Sequence, residues 1–300
     1  MSSTVTANST VPSSAGKRAQ SGVSFAGVLR SEWIKLWSLL STRLLILISF
    51  VAMVGVGVLS ALVRYTFLNN QAEQARAQGM ELTQEQLSQT MPAGSGLELY
   101  NLPNAGMQIG VLVLGTLAVM FIASEYSTGM IRSSVTAVPK RLPVFAAKAI
   151  ILVVISYILA AIAGVVTFAL SKPMFAALPV DMDWSTDGVM YSVFTGGLYV
   201  AGVALIGLSL GTLLRNSAGG VTVLIAIFFV VSIAAGFLSL VPGEFWKYVP
   251  QYLPAESGGR FLALGHADGV VDPGLAGLIF LGWVLVFVIP AVVLLKKRDV

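Results

Sequence analysis

The sequence predicts an all-α integral membrane protein with six transmembrane helices, an amino-terminal amphipathic helix at the membrane interface, and a cytosolic helix between spans two and three. Three observations carry this prediction: the composition, the length of the apolar runs and the placement of the basic residues. Of the 300 residues, 56% are hydrophobic and 11% are charged, whereas a soluble domain carries about 25% charged residues. A soluble globule of this size could not bury that much apolar surface.

Six apolar runs define the predicted spans. Each is about 18 residues or longer, which lets an α-helix cross a hydrocarbon core of roughly 30 Å. Strands of a membrane barrel would alternate in polarity over short segments, and these runs do not alternate. The runs cover residues 44–63, 107–124, 144–170, 189–214, 221–241 and 275–295, within a membrane domain of residues 23–300.

Ahead of the first span, the chain changes character twice. Residues 1–22 are rich in Ser, Thr and Ala and show no hydrophobic periodicity, so they are expected to form a disordered cytosolic tail. Residues 23–43 carry apolar side chains at intervals of three and four with basic residues between them, which predicts an interfacial amphipathic helix. The alternative is that this stretch is the frayed beginning of the first span.

The basic residues predict the orientation. With the amino terminus in the cytosol, the outer loops hold Arg64, Arg76, Lys172, Lys247 and Arg260. The remaining 13 of the 18 Lys and Arg residues then lie on the cytosolic side. The positive-inside rule therefore places both termini in the cytosol, which requires an even number of spans.

Two outer segments are longer than a simple connection requires. Residues 64–106 are polar and Gln-rich, and residues 71–89 are expected to be partly helical. Residues 242–273 concentrate aromatic side chains, which favours an element at headgroup level or a re-entrant one. An aromatic belt with no further role is the alternative. The aromatic residues of interest there are Trp246, Tyr248 and Tyr252.

Several kinds of chemistry are excluded or disfavoured. The chain has no cysteine, which excludes disulfides and thiolate chemistry, and its single histidine cannot form a metal site alone. The span interiors hold essentially no ionisable residues, which disfavours proton- or sodium-coupled transport. Glu125 and Lys148 are expected at span ends, where long side chains reach water. The phosphate-binding G-x-x-x-x-G-K-[ST] pattern is missing, so any ATPase must be a separate subunit.

One hydrolase-like motif lies in the fourth span. Gly207-x-Ser209-x-Gly211 matches the G-x-S-x-G pattern of hydrolase nucleophiles, and an intramembrane serine hydrolase using Ser209 is an alternative function. His266, the candidate base, lies in the loop before the sixth span rather than within it. The same two glycines, together with Gly106 and Gly110, form small-x-x-x-small pairs. Such pairs favour close helix packing, which is the preferred interpretation.

The loop between the second and third spans predicts a partner-binding helix. From Glu125 to Val138 its apolar residues have helix-compatible spacing, and a basic pair follows Pro139. A turn would need only a few residues, so a short cationic helix that a soluble partner can grip is expected. A basic interfacial helix held by anionic lipid is the alternative.

The first of three motifs is Glu125-Tyr126-x-x-Gly129-x-x-Arg132, followed by Pro139-Lys140-Arg141. The second precedes the first span and includes Arg30, Glu32, Trp33, Lys35 and Trp37. The third lies in residues 246–254, before the last span. Together they resemble motifs of permease subunits of type-2 ABC exporters, particularly the actinobacterial members, with the second similar to the opening elbow helix and the third similar to the aromatic loop. The resemblance covers about residues 24–298, and the extended outer segment around residues 71–89 departs from it.

The resemblance implies a transport subunit, not itself catalytic, of an ATP-hydrolysing complex in the bacterial plasma membrane. Its expected partners are two copies of a cytosolic ABC ATPase, a second copy of this chain or a related permease, and membrane lipid, with no nucleic acid. ATP and Mg would bind to the ATPase, and this chain would hold no cofactor or metal. The expected cargo is lipophilic or amphipathic, such as a drug, an antibiotic, a peptide or a lipid. A non-transporting membrane scaffold is the alternative. The residues implied in ATPase coupling are Glu125, Tyr126, Gly129, Arg132, Pro139, Lys140 and Arg141.

Because the chain has no cysteine, its topology can be tested with single introduced cysteines. A membrane-impermeant maleimide applied to intact cells should label cysteines placed at Gln78, Asp183 and Ala267, which lie in predicted outer loops. A cysteine at Arg132 should stay unlabelled until the membrane is opened. Labelling of position 132 in intact cells would contradict the predicted orientation.

Overall fold

The computed structural model describes residues 24–91, 98–130, 142–238 and 241–297, and all regular secondary structure in those ranges is helical. Six of these helices are long and apolar enough to cross a membrane, which confirms the prediction of an all-α protein with six membrane-spanning helices. The helices are α1 (Phe25–Ser38), α2 (Leu40–Ala77), α3 (Gln84–Gln89), α4 (Met107–Ser127), α5 (Leu142–Ser171), α6 (Val189–Leu214), α7 (Ser217–Leu238), α8 (Glu244–Tyr248), α9 (Pro254–Leu262) and α10 (Pro273–Lys297). The spanning helices are α2, α4, α5, α6, α7 and α10.

Helix α1 stands apart from the first span. It begins after Ser24, whose hydroxyl accepts a hydrogen bond from the Gly27 amide at 3.2 Å and so caps the helix. It ends at Ser38, because Leu39 is extended (φ −90°, ψ 125°) and turns the chain into α2. The helix is therefore shorter than the predicted 23–43, and the predicted tail 1–22 lies outside the described residues.

Helix α2 continues well past the predicted end of the first span at residue 63. Its 38 residues are about 57 Å long, so it cannot fit within a hydrocarbon core of roughly 30 Å. The extension packs as part of a second hydrophobic core with α3 and the far end of α5, through residues such as Leu68, Leu87 and Phe168. The polar segment after residue 63 is thus a folded cap at one end of the bundle.

The spans alternate in direction, so the bundle has an end where α1 lies, here called the α1 end, and an opposite end that carries the cap. Helices α4 and α6 are central, and most of their residues are buried. Helices α2, α5, α7 and α10 surround them and expose apolar side chains outward, as expected for helices that face lipid or another apolar helix.

Four glycines lie where helices cross closely. A Cβ on Gly106 would overlap the main chain of Met53 in α2, and one on Gly110 would overlap the Met53 side chain. On α6, a Cβ on Gly207 would overlap the Gly115 carbonyl of α4, and one on Gly211 would lie 2.7 Å from the Val119 carbonyl oxygen. Backbone contact of this kind brings α4 closer to its neighbours than larger residues allow.

The aromatic segment between the last two spans is a packed helical element. Helix α9 lies against α6 and α10, and Gly258 of α9 sits directly beneath the ring of Tyr199. The aromatic residues that precede α9 point outward, and Trp246, Tyr248 and Tyr252 are all exposed. The Trp283 indole of α10 donates to the Tyr252 carbonyl at 2.8 Å, which ties this segment to the last span.

Replacement of Gly207 with alanine should lower the free energy of unfolding by about 1–3 kcal/mol, because the new methyl group would force α4 and α6 apart. Gly282→Ala is the matched control, since Gly282 also lies inside a span and a Cβ there meets nothing within 4 Å. The control should be neutral or slightly stabilising, as alanine favours a helix. Unfolding of purified protein in mixed micelles with increasing SDS measures both, and equal effects would contradict the close crossing.

Candidate functional site: a buried ring of charges

Four ionisable side chains meet at the α1 end, from three helices. Glu32 and Lys35 lie three residues apart on α1, Glu125 lies in the last two turns of α4, and Lys148 lies in the second turn of α5. Three of these residues belong to apolar stripes: on α1, for example, Glu32 shares the buried face with Val28 and Leu36. Folding these stripes together therefore brings the charges into contact. We call these four residues the charge ring.

Each lysine of the charge ring contacts both glutamates. Lys148 Nζ lies 2.5 Å from Glu32 Oε2 and 2.9 Å from Glu125 Oε1. Lys35 Nζ lies 2.7 Å from Glu32 Oε1 and 3.0 Å from the same Glu125 oxygen. Two positive and two negative groups thus alternate, and the ring carries no net charge.

The charge ring is buried, contrary to the expectation that Glu125 and Lys148 reach water. Lys148 is 0% exposed, Glu32 is 1% exposed and Glu125 is 5% exposed. Only Lys35 keeps contact with solvent, with 29% of its side chain exposed. A single charge in such a place would be strongly destabilised. The opposite charges make burial possible here, so the side chains of Glu125 and Lys148 pair inside the protein and do not extend to water.

Lys148 is the most enclosed member of the charge ring. Besides the two carboxylates, its ammonium group lies 3.4 Å from the Phe121 carbonyl oxygen and 4.0 Å from the centre of the Phe121 ring. A cation over an aromatic face is attracted by the ring's quadrupole, and more strongly where water is absent. Lys148 therefore joins α5 to both α1 and α4.

Lys35 is a cation at neutral pH. Burial lowers the pKa of Lys35, but hydrogen bonds and Coulomb attraction from Glu32 and Glu125 outweigh burial and raise it above the ordinary value of 10.5. The second Glu125 oxygen, Oε2, is buried and has no hydrogen-bond partner among the described residues. Glu125 Oε2 is thus an available hydrogen-bond acceptor near the end of α4, just before residues 128–141.

The other residues that the sequence implies in ATPase coupling either follow Glu125 at the end of α4 or lie outside the described part of the chain. The Arg215 guanidinium, at the end of α6, lies 5.2 Å from the centre of the Tyr126 ring, so the loop between spans four and five also reaches this site. Gly129 has a φ of 72°, a conformation that glycine adopts readily. Arg132, Pro139, Lys140 and Arg141 lie outside the described residues.

The other residues singled out by sequence lie away from the charge ring or on its outer side. Arg30, Trp33 and Trp37 are on the exposed side of α1, and the two tryptophan rings contact each other at 5.7 Å. Ser209 is fully buried and donates its hydroxyl to the Leu205 carbonyl of its own helix at 2.7 Å. His266 is paired with Asp272 in the exposed loop at the opposite end.

No protein-family model matches the chain, and no curated protein sequence matches it. Among the described residues, no group of three metal-ligating side chains comes together. The function must therefore be inferred from the residues and their geometry.

Replacement of Lys148 with methionine should lower the free energy of unfolding by about 3–5 kcal/mol. The reason is that Glu32 and Glu125 would stay buried with only Lys35 between them. Lys172→Met is the control, because Lys172 pairs with Asp183 at 3.2 Å on the exposed surface, and loss of such a pair changes stability little. Denaturation of both variants in the same detergent gives the comparison.

The double variant Glu32→Gln with Lys148→Met should be less destabilised than the sum of the two single variants. It removes one charge of each sign and leaves Lys35 facing Glu125 at 3.0 Å, so the remaining pair is neutral. Strict additivity, or a Lys148→Met variant as mild as Lys172→Met, would show that the charge ring does not act as a unit.

Proposed function

We propose that this chain is the permease subunit of an ATP-driven ABC exporter in a bacterial plasma membrane, with both termini in the cytosol. A separate cytosolic ATPase, present in two copies, binds ATP and Mg and supplies the energy. A second permease, either another copy of this chain or a related one, completes the translocation pathway. The cargo is a lipophilic or amphipathic molecule such as a drug, an antibiotic, a peptide or a lipid.

The observation that carries this proposal is the way the charge ring ties together the helices on either side of one loop. Helix α4 ends at Ser127 and α5 begins at Leu142, so residues 128–141 connect these two helices along the chain. Lys148 of α5 bonds Glu125 of α4 directly, and both contact α1. A displacement of this loop would therefore act on two spans and the interfacial helix together, because the ion pairs link all three.

The same arrangement is suited to passing a movement of the loop on to the membrane helices. In the proposed mechanism, the 128–141 segment docks into a groove of the ATPase, and closure of the ATPase on ATP displaces it. The displacement biases the membrane helices towards a second arrangement, which is transport by population shift with no covalent chemistry in this chain. Glu125 then serves as a positioning residue at the base of the loop, and Arg132 makes a charged contact with the ATPase.

Two features of the span interiors support an external source of energy. The central helix α6 carries no Asp, Glu, Lys, Arg or His, so it offers no site for a coupling proton. Ser209 donates its hydroxyl to the Leu205 carbonyl of its own helix, so in the described part of the chain this hydroxyl is bonded to a carbonyl and not to a base, which makes nucleophilic catalysis unfavourable. These features favour the exporter over the hydrolase.

The charge reversal Arg132→Glu tests the docking of the loop. The affinity-tagged chain, purified from native membranes, should bring down a Mg-dependent ATPase. The variant should recover about tenfold less ATPase at limiting concentrations, because loss of a charge-assisted contact costs about 1.5–3 kcal/mol. Its insertion and expression should be normal.

Arg76→Glu is the matched control, since it reverses a charge on the exposed end of α2, far from the loop. It should leave ATPase recovery unchanged. If no ATP-hydrolysing protein is recovered with the wild-type chain, the chain is a membrane scaffold and not a permease. If Arg132→Glu recovers as much ATPase as the wild type, the docking role of this residue is wrong.

A further inference from the structure

A polar cavity of about 480 Å³ lies at the opposite end of the bundle from the charge ring. Its walls come from the interior of α2, from the short helical segment Leu99–Asn104 and the start of α4, and from α9 with the loop after it, so it is formed by elements that are well separated in sequence. The volume is typical of pockets that hold a small molecule. The polar and charged side chains on its wall include Arg64, Asn101, Asn104, Gln108, Glu256 and Arg260.

Two arginines on the cavity wall are almost completely buried. Arg64 is 5% exposed and Arg260 is 7% exposed. Both are held in place by main-chain oxygens: Arg64 Nη1 donates to the Glu98 carbonyl at 2.8 Å, and Arg260 Nε donates to the Val271 carbonyl at 2.7 Å. Arg260 Nη2 also lies 3.5 Å from the Gly265 carbonyl oxygen, and these bonds fix the orientation of the two guanidinium groups.

The cavity lining is positive overall among the described residues. It contains two guanidinium groups and one carboxylate, that of Glu256, which leaves an excess of one positive charge. The Glu98 carboxylate accepts from the Asn101 amide at 3.4 Å and lines a separate, smaller cavity. It moderates the charge of Arg64 but is not part of this wall.

A carboxamide adds a further donor to the same wall. The buried Tyr199 hydroxyl donates to Gln108 Oε1 at 3.2 Å, which fixes the orientation of the amide. The Gln108 Nε2 group then faces Gly259, at 3.4 Å from the position of a Cβ on that glycine, and both residues line the cavity. Fixed N–H groups beside two guanidinium groups form the kind of donor set that binds carboxylate and phosphate oxygens.

We propose that this cavity binds an anionic oxygen group, a phosphate or a carboxylate, as the polar head of a small molecule or lipid. The two arginines supply positive charge and guanidinium N–H groups, and Gln108 supplies an oriented N–H group. Glu256 opposes the anion and limits its affinity, which allows release. This site lies at the other end of the bundle from the charge ring, so the proposal does not depend on whether an ATPase drives the chain.

The binding test uses the purified full-length chain in a non-ionic detergent with three probes. The first is dihexanoyl phosphatidylglycerol, the second is glycerol 1-phosphate, and the third is uncharged dihexanoyl glycerol. Binding is measured by microscale thermophoresis. We expect saturable binding of at least one phosphate probe and none of dihexanoyl glycerol. Tighter binding of the phospholipid identifies a lipid headgroup as the source, and equal binding of the two phosphate probes identifies a free anion.

Two variants with opposite expected effects test the residues. Arg260→Gln should weaken phosphate-probe binding roughly ten- to hundredfold, because it removes a charged donor. Glu256→Gln should tighten it by up to about tenfold, because it removes the carboxylate that repels the anion. Asp268→Asn, a change of the same kind on the exposed loop before α10, should alter nothing.

Glu256 is only partly buried, so its variant keeps the test valid even if Arg260→Gln does not fold. Absence of saturable binding of both phosphate probes would overturn the proposal. Equal binding of dihexanoyl glycerol and the phospholipid would also overturn it, since the acyl chains would then be the bound part. An unchanged affinity in Glu256→Gln would show that the anion binds elsewhere.

Discussion

Two lysines and two glutamates that are largely withdrawn from water hold together the end of the bundle where α1, α4 and α5 meet. Each charge has two partners of opposite sign, so the cost of removing it from water is offset within a closed ring. Departure of α4 or α5 would leave an excess buried charge on the other two helices, whereas departure of α1 would remove one charge of each sign and leave the Lys148–Glu125 pair. The ion pairs therefore favour joint movement of the three helices at this end of the molecule.

The middle of the bundle is held by a different kind of contact. Helix α6 has no charged residue, and in its half nearer the charge ring the buried hydroxyls of Ser209 and Thr212 donate to carbonyls of α6 itself. Its other half donates across the interface, from Tyr199 to Gln108. In the half nearer the charge ring, contacts between α4 and α6 depend on glycines and shape. Such a surface can shift without leaving polar groups unsatisfied. The structure thus combines an end held by ion pairs with a centre held by close apolar packing.

The sequence predicted the six spans because long apolar runs are a strong local signal. It predicted that residues 71–89 are partly helical but not that α2 continues without a break to Ala77, since hydropathy cannot follow a helix after it leaves the apolar layer. The buried stripe of Leu68 and Ala72, four residues apart, was the available sign.

The charge ring was harder to predict than the fold. Periodicity alone could have placed Glu32 on the buried stripe with Val28 and Leu36. It could not show that Glu32 meets Lys148, 116 positions away, because that contact depends on how three helices pack. The sequence therefore identified Glu125 and Glu32 as residues of interest but not as members of one charge cluster. The cavity at the opposite end depends still more on tertiary structure, since its arginines come from two distant helices.

Helix α4 connects the two polar sites of the molecule. It carries Gln108 on the cavity wall near its start and Glu125 in the charge ring near its end, about 25 Å apart along the helix axis. It is a continuous α-helix over this distance, and close packing by the glycines of α6 leaves little room for it to bend. A shift of α4 at the charge ring would therefore also move Gln108. Because such coupling is reciprocal, an anion that binds the cavity better in one position of α4 would favour that same position at the charge ring.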